Sequence, residues 1–167
     1  MDYSKKLSEK SLVLRRDQSR TMTIEAVGVQ INVLVTGEDS NGVYSLFEYT
    51  APPDFSGPPL HWHKETAELF YMLEGSLMVR LDKDEHHLTI GDRVLIPPGT
   101  IHGFSNPAQE PARFLLHVTP GGFEQYFDEL GEMIRNAPSW PPTDMSPVKE
   151  LAAQFDTHHV APDSQDE

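Results

Sequence analysis

The chain of 167 residues contains 38% apolar and 23% charged residues, which is typical of a single globular domain spanning 1–167 and not of a disordered chain. The absence of cysteine excludes disulfides, thiolate metal sites and cysteine nucleophiles, so any metal must be held by His, Asp, Glu or water. The net charge of −13 argues against nucleic acid and anionic membranes as partners. Because no apolar run is long enough for a membrane span or a secretory signal, we expect a cytoplasmic protein.

The first 20 residues differ from the rest because they carry six Lys or Arg against three acids. This basic arm is either a solvated tail, the interpretation that we favour, or an arm that docks on an acidic surface. It is short and has no helix-turn-helix pattern, so a DNA-binding factor is not expected.

The middle of the chain predicts short strands with turn signals between them. Residues 22–36 are rich in β-branched residues, with Gly28 as a break, and predict two strands. Further strands are expected within 43–50, 60–80, 87–90, 93–96, 102–105 and 112–118. The prolines of residues 51–59 predict an irregular loop, and Gly75 predicts a tight bend. This spacing indicates an antiparallel sandwich or barrel over about residues 22–120.

Beyond Pro120 the pattern becomes helical, and we expect two helices within about residues 121–156. One apolar face is formed by Phe123, Tyr126, Phe127, Leu130 and Ile134. Phe123 and Phe127 either cap the mouth of the barrel or only pack the helix. Ser146 as N-cap, followed by Pro147, predicts the start of the second helix. Residues 157–167 are expected to be a frayed tail.

Four residues form the constellation that carries chemistry. His61 and His63 are two residues apart, so on a strand both imidazoles face the same side. Glu68 follows closely, and His102 comes just after a Pro-Gly turn at the start of a later strand. If the fold brings the two segments together, three imidazoles and one carboxylate surround one point. This ligand set suits one divalent ion of Fe, Mn, Ni, Co, Cu or Zn and leaves about two positions open.

Two motifs in this region resemble those of the cupin superfamily. The first reads His61-x-His63, four residues, Glu68, six residues, Gly75, and the second reads Gly91, five residues, Pro97-x-Gly99, two residues, His102, three residues, Asn106. The second match is complete. In the first, Gly57 lies only four residues before His61, so the entry loop departs from the cupin pattern.

The resemblance implies an all-β fold, the cupin double-stranded β-helix or jelly-roll barrel, here with two C-terminal α-helices. It also implies that His61, His63, Glu68 and His102 bind the metal. The segment after Pro120 is similar to that of single-domain cupins of the quercetin-2,3-dioxygenase-like kind. Small cupins commonly form homodimers through edge strands, and residues 10–26 are candidates for that exchange.

In dioxygenase-like cupins the residue equivalent to Glu68 takes a proton from the substrate, so Glu68 is our candidate catalytic residue beside pure ligation. A pocket above the metal is expected to be apolar, although each of its candidates also fits a plain barrel core. These candidates are Phe47, Tyr49, Phe70, Met72, Phe104, Phe114, Leu116 and Phe123.

The favoured function is a metal-dependent dioxygenase that uses O2 on a small aromatic or enolic, flavonol-like substrate. The alternatives are a non-redox isomerase, cyclase or lyase with the same ligands, and a cupin that binds a small molecule without catalysis. The pairs His86-His87 and His158-His159 are interpreted as solvated side chains, and His117 is not assigned.

Overall fold

The computed structural model describes residues 11–160, which form two β-sheets and two α-helices. The first strands are β1 (Arg20–Ile24), β2 (Val29–Val35), β3 (Ser45–Ala51), β4 (His61–Trp62), β5 (Ala67–Glu74) and β6 (Ser76–Leu81). The later strands are β7 (Asp84–Thr89), β8 (Arg93–Ile96), β9 (His102–Ser105), β10 (Ala112–Thr119) and β11 (His158–His159). The helices are α1 (Glu124–Asn136) and α2 (Ser146–Gln154), and short 3-10 turns span Arg16–Gln18 and Glu25–Val27.

The strands are divided between two antiparallel sheets. One sheet has the order β1-β2-β3-β10-β5-β8, and the other has the order β11-β4-β9-β6-β7. Strands that follow each other along the chain, such as β3 and β4 or β8 and β9, lie in different sheets. The chain therefore crosses repeatedly between the two layers, as it does in a jelly roll. The predicted all-β jelly-roll barrel with two C-terminal helices is confirmed.

The core between the sheets follows from strict alternation along the strands. In β3 and β10 every second residue is buried, beginning with the first. Phe114 of β10 lies opposite Tyr49 of β3 on one side and Met72 of β5 on the other. Its ring stacks on that of Tyr49 with 5.0 Å between ring centroids. Because Phe70 and Met72 have the parity of Glu68, all three side chains enter this interior, as expected.

Two residues of the motifs have structural roles in the loops. Gly57 has φ +80°, and a Cβ atom there would meet the Phe104 carbonyl oxygen at 1.6 Å, so only glycine fits the entry loop. Asn106 donates its side-chain amide to the carbonyls of Pro52, at 2.9 Å, and Glu110, at 2.8 Å. Asn106 thereby ties the proline-rich loop to the end of β9.

The C-terminal helices attach to the barrel through a buried acid. Glu124, the first residue of α1, is 7% exposed and accepts hydrogen bonds from the Gly37 amide, at 2.9 Å, and from the Ser45 hydroxyl, at 2.6 Å. The apolar side chains Phe127 and Ile134 lie on the buried face of the same helix. The predicted helix face therefore packs toward the barrel mouth.

Two details differ from the expectations. Ser146 is the first residue of α2 and not its cap, and its amide donates instead to the Asp144 carboxylate at 2.9 Å. Residues 157–160 are not frayed, because β11 pairs with β4 and Thr157 is buried. The rest of the predicted tail, 161–167, and the first ten residues of the basic arm lie outside the described residues. None of the helices within residues 11–160 is long and apolar enough to cross a membrane.

Candidate metal centre and its pocket

The site lies between the two sheets, where short strands place four polar side chains in an apolar interior. His61 of β4 and His102 of β9 are directly paired across the sheet. His63 follows β4 and returns to the same side two residues later, as the strand period requires. Glu68 comes from β5 of the opposite sheet. The fold thus brings together all four residues that the motifs single out.

The four side chains converge at contact distance. His61, His63 and His102 each offer a nitrogen, and these nitrogens lie within 4.8 Å of one another. The Glu68 oxygens lie 3.4 Å from His63 Nε2 and 3.3 Å from His102 Nε2. None of the four residues is more than 7% exposed. Three imidazoles at this spacing can hold a metal ion, and the carboxylate is at their edge.

Backbone carbonyls set the tautomer of each imidazole. His61 Nδ1 lies 2.9 Å from the Pro59 oxygen, and His102 Nδ1 lies 2.9 Å from the Thr100 oxygen. His63 Nδ1 makes the same contact with the Asp156 oxygen at 2.8 Å. A carbonyl only accepts, so each Nδ1 carries a proton, and Nε2 is the nitrogen that each ring directs toward the centre. The Nε2 atoms of His63 and His102 are buried without a hydrogen-bond partner among the described residues.

The electrostatics of this centre favour a cation. Burial lowers the pKa of His61 to about 3, with help from His102, so this imidazole stays neutral. Burial alone would raise the pKa of Glu68, but the contacts with His102 and His63 outweigh it and hold this pKa below its usual range. Burial likewise lowers the pKa of His63, but the Glu68 carboxylate raises it more, so the net shift is upward. A cation between the Glu68 carboxylate and the buried Nε2 atoms of His63 and His102 would give these polar atoms the partner that they lack.

The segment after α2 contacts the candidate ligand His63 and the turn that follows it. Besides its carbonyl contact with His63, Asp156 accepts hydrogen bonds through its carboxylate from the amides of Lys64, Glu65 and Thr66, at 2.8–2.9 Å. The Thr66 hydroxyl donates to the same carboxylate at 2.9 Å. Burial would raise the pKa of Asp156, but these amide donors hold it below its usual range. One residue therefore fixes both a candidate ligand and the turn that leads to Glu68.

A mainly apolar pocket of about 180 Å³ opens above the four residues and includes His61 and Glu68 in its wall. No lysine or arginine among residues 11–160 lines it. Its remaining polar side chains are Tyr49, Tyr126, Thr157 and His159, besides the indole of Trp140. Burial raises the pKa of Tyr126 to about 12 and that of Tyr49 further, so both phenols are neutral.

The structure divides the pocket residues suggested by the sequence into two groups. Tyr49, Phe70, Phe104, Leu116 and Phe123 line the pocket. Phe47, Met72 and Phe114 are not among its lining residues and are completely buried in the core behind it. Parity could not separate the groups, because every inward side chain of a strand has the same parity, whether it reaches the cavity or packs beneath it.

The remaining histidines lie in different surroundings. His86 and His87 are exposed on β7, and His117 stacks on Tyr44 with 4.9 Å between ring centroids. His158 packs at a tilt against Trp62, and its Nε2 lies 3.4 Å from a carboxylate oxygen of Asp156. His159 departs from the expectation of a solvated side chain, because it lines the pocket and its Nδ1 is buried.

Sequence reasoning missed the C-terminal contribution to this site. Asp156 and His159 belong to no recognisable motif. The sequence predicts only the end of a helix and a frayed tail in this region. A usable signal was present in α1, whose apolar face supplies Tyr126, Phe127, Leu130 and Ile134 to the pocket wall. The sequence shows that this face is apolar, but it does not show whether the face packs on the mouth of the barrel.

Comparisons with known proteins agree with this geometry. The Cupin domain family model matches residues 47–118. "Probable oxidoreductase virH" of Hypocrea virens is 38% identical over 84 residues, which are 48% of this chain and 37% of that protein. "Quercetin 2,3-dioxygenase" of Bacillus subtilis is 32% identical over 72 residues, which are 43% of this chain and 21% of that protein. The chain thus spans well under half the length of both relatives.

A solved structure gives the same result at the level of the fold. The polyketide cyclase RemF from Streptomyces resistomycificus has a TM-score of 0.55 and 23% identity, covering 65% of this chain and 79% of that one. At this identity the likeness shows a shared architecture and does not identify a reaction.

Proposed function

This chain belongs to the cupin superfamily, and from that premise we propose that it is a metal-dependent dioxygenase acting on a small, uncharged aromatic or enolic substrate. The observation that carries the proposal is the contrast between the two parts of the site. A centre that favours a cation lies at the base of a pocket whose wall is aromatic and aliphatic and, within residues 11–160, free of Lys and Arg.

The proposed metal ligands are His61, His63, Glu68 and His102. Three neutral imidazole nitrogens and one carboxylate form a donor set that suits a divalent transition metal. Four protein ligands leave about two coordination positions for substrate and O2. When bound, the metal supplies Lewis acidity and a route for electrons between substrate and O2.

The lining of the pocket narrows the substrate class. A phosphorylated or carboxylate-rich substrate would have to leave water without a cationic side chain to receive it, which is costly. A volume of about 180 Å³ holds roughly one aromatic ring, since a cavity of about 150 Å³ accepts benzene. A flavonol-like substrate would place one ring in the pocket and extend through its mouth.

Glu68 is the proposed general base. Its carboxylate lies in the pocket wall beside the other candidate ligands, where in the proposed complex it accepts the proton of a bound enol or phenol. Removal of the hydroxyl proton gives an electron-rich enolate. In the proposed reaction both atoms of O2 enter the product as a carbon–carbon bond breaks, and the substrate supplies all four electrons. No external reductant is needed.

The relatives support this choice without deciding it, because virH is described as an oxidoreductase and the Bacillus subtilis protein as a dioxygenase. A second candidate is a non-redox cyclase or isomerase, since the same centre and apolar pocket would also suit that chemistry. The same ligands would then polarise a carbonyl through the metal. The two candidates differ in whether turnover needs oxygen.

The proposal includes a homodimer. Tyr71, Ile90 and Leu95 are exposed apolar side chains on or beside β5 and β8, the edge region of the larger sheet. Pairing of two copies would remove such surface from water. Light scattering that gives the mass of one chain at micromolar concentration would contradict it.

The test begins with elemental analysis of protein purified without added metal. Metal-free protein is then loaded separately with Fe(II), Mn(II), Ni(II), Co(II) or Zn(II) and given 3-hydroxyflavone, quercetin or acetylacetone in an oxygen electrode. We expect O2 uptake with at least one redox-active metal, and a loss of roughly 100-fold or more in Glu68→Gln if Glu68 is the base. Turnover that persists without O2 and with Zn(II) would favour the cyclase or isomerase instead. If these compounds bind but no condition gives turnover, the result would favour a cupin that binds a small molecule without catalysis.

A further inference from the structure

The C-terminal strand β11 places one histidine inside the pocket and its neighbour outside. β11 pairs antiparallel with β4, so that His159 lies opposite His61 and His158 lies opposite Trp62. Residues directly opposite each other in a sheet share a face, and successive residues alternate. His159 therefore faces inward with His61, whereas His158 packs at a tilt against the outer Trp62 with 4.8 Å between ring centroids.

The inward imidazole has a nitrogen without a partner. His159 Nδ1 is buried and forms no hydrogen bond with any of residues 11–160. A buried polar atom without a partner costs free energy, and such atoms are rare in folded proteins unless a ligand or an ordered water satisfies them. Since this ring also lines the pocket, a molecule in the pocket can supply the missing partner.

His159 is separate from the metal group. The nitrogens that lie within 4.8 Å of one another belong to His61, His63 and His102 alone among the described residues. Thr157, Met145 and Val148 of the same C-terminal segment also line the pocket. The Thr157 hydroxyl donates to the Phe155 carbonyl at 3.3 Å, so its hydrogen is already used. The imidazole is thus the polar group of an otherwise apolar section of wall.

We propose that His159 forms a polar subsite of the pocket, which hydrogen-bonds a hydroxyl or carbonyl oxygen of the substrate that is not itself bound to the metal. The subsite rests on the proposed function only in assuming that the substrate enters this pocket. It lies outside residues 47–118, the segment that matches the family model, so it sets a preference particular to chains with this C-terminal strand.

The experiment uses two probes that differ by one hydroxyl. Allomaltol and kojic acid are single-ring hydroxypyranones with the same pair of metal-binding oxygens, and only kojic acid carries a hydroxyl on the side chain across the ring. Full-length protein loaded with Co(II) is titrated with each probe, and the dissociation constants are read from the visible absorption of Co(II). We expect kojic acid to bind about fivefold more tightly than allomaltol, the effect of one net hydrogen bond.

Three variants decide the origin of this preference. His159→Phe keeps a ring of similar shape and should remove the preference, while its affinity for allomaltol stays within about twofold. His159→Asn places an amide near the position of Nδ1 and should restore part of it. His87→Phe, at an exposed position of β7 that does not line the pocket, is the control and should behave as the wild type does.

Several outcomes would overturn the subsite. These are equal affinity of the wild type for both probes, a preference that survives His159→Phe, and an equal loss for both probes in that variant. Failure of either probe to bind to protein with a full complement of Co(II) would also overturn it. Failure of the proposed dioxygenase reaction is distinguishable, because these titrations are read without O2 and without turnover.

Discussion

The barrel segment 47–118 and the C-terminal segment 123–160 contribute different things to one site. The barrel supplies every candidate metal ligand, and strand register fixes their positions, as in the pairing of His61 with His102. The C-terminal segment supplies a large part of the pocket wall, including Phe127 and His159. The difference suggests that metal binding is a property of the barrel, whereas substrate choice depends on what covers its mouth.

Asp156 is an exception to this division between the two segments. It belongs to the C-terminal segment, yet its carbonyl orients His63 and its carboxylate holds the turn that leads to Glu68. If metal binding depends on the barrel and on Asp156, metal affinity should fall most on loss of a barrel ligand, less on loss of Asp156, and hardly at all on a change in the pocket wall.

Loss of a barrel ligand should have the largest effect. His102→Ala removes one of three imidazole nitrogens. We expect the metal affinity to fall by more than about 100-fold, so that the purified variant contains little metal. Elemental analysis and the absorption of the Co(II) protein measure this. His87→Ala, at an exposed position of β7, is the control and should retain the metal. Full metal occupancy in His102→Ala would exclude the proposed centre.

Asp156→Ala should have an intermediate effect. Loss of the carboxylate frees the turn between His63 and Glu68, and we expect metal affinity to fall about 10- to 100-fold, as it does for other residues that orient metal ligands. Asp92→Ala is a matched control, since the Asp92 carboxylate caps the Thr89 amide and hydroxyl, at 2.8 and 3.0 Å, in an exposed turn. If both variants lose affinity equally, or neither does, Asp156 has no special role in the centre.

A change in the pocket wall should leave the metal almost unaffected. Phe127 packs edge-on against Phe47 and Phe123, with centroid distances of 5.2 and 5.3 Å. Phe127→Leu should cost about 1–2 kcal/mol in the free energy of unfolding and weaken allomaltol binding several-fold, with metal affinity within about twofold. Urea unfolding and Co(II) titration measure the two quantities. A large loss of metal affinity would show that the two segments are not separable.

The smallest effect concerns acid stability of the metal-free protein. The pKa of Asp156 is lowered in the folded state, so its carboxylate stabilises the fold above the unfolded pKa of about 3.9, and this contribution is lost as pH falls through the folded pKa. The free energy of unfolding of Asp156→Asn should therefore lie below that of the wild type at pH 7, and the two should converge in acid. Urea unfolding of chelator-treated protein across this range measures the difference. A gap that is constant with pH would show that charge on Asp156 does not contribute.

Much of the barrel followed from local patterns. Alternation in β5 put Phe70 and Met72 on the side of Glu68, and the turn residues around Gly75 and Gly91 separated the strands correctly. The candidate ligands were identifiable because a two-residue spacing on a strand places His61 and His63 on the same face. Local patterns did not show which inward-facing side chains reach the pocket. Met72 and Phe104 both face inward, but only Phe104 lines the pocket.

The sequence by itself determined the strands, the helix face of α1, the ligand types and the absence of thiolate chemistry, because each depends on residues close together in the chain. Only the tertiary structure decided that β11 pairs with β4 and that Asp156 contacts His63 from 93 positions away. Such contacts have no periodicity and no motif, and they form when the chain brings a distant segment to an open sheet edge. For that reason the candidate metal ligands were visible in the sequence, whereas the C-terminal part of the pocket wall that surrounds them was not.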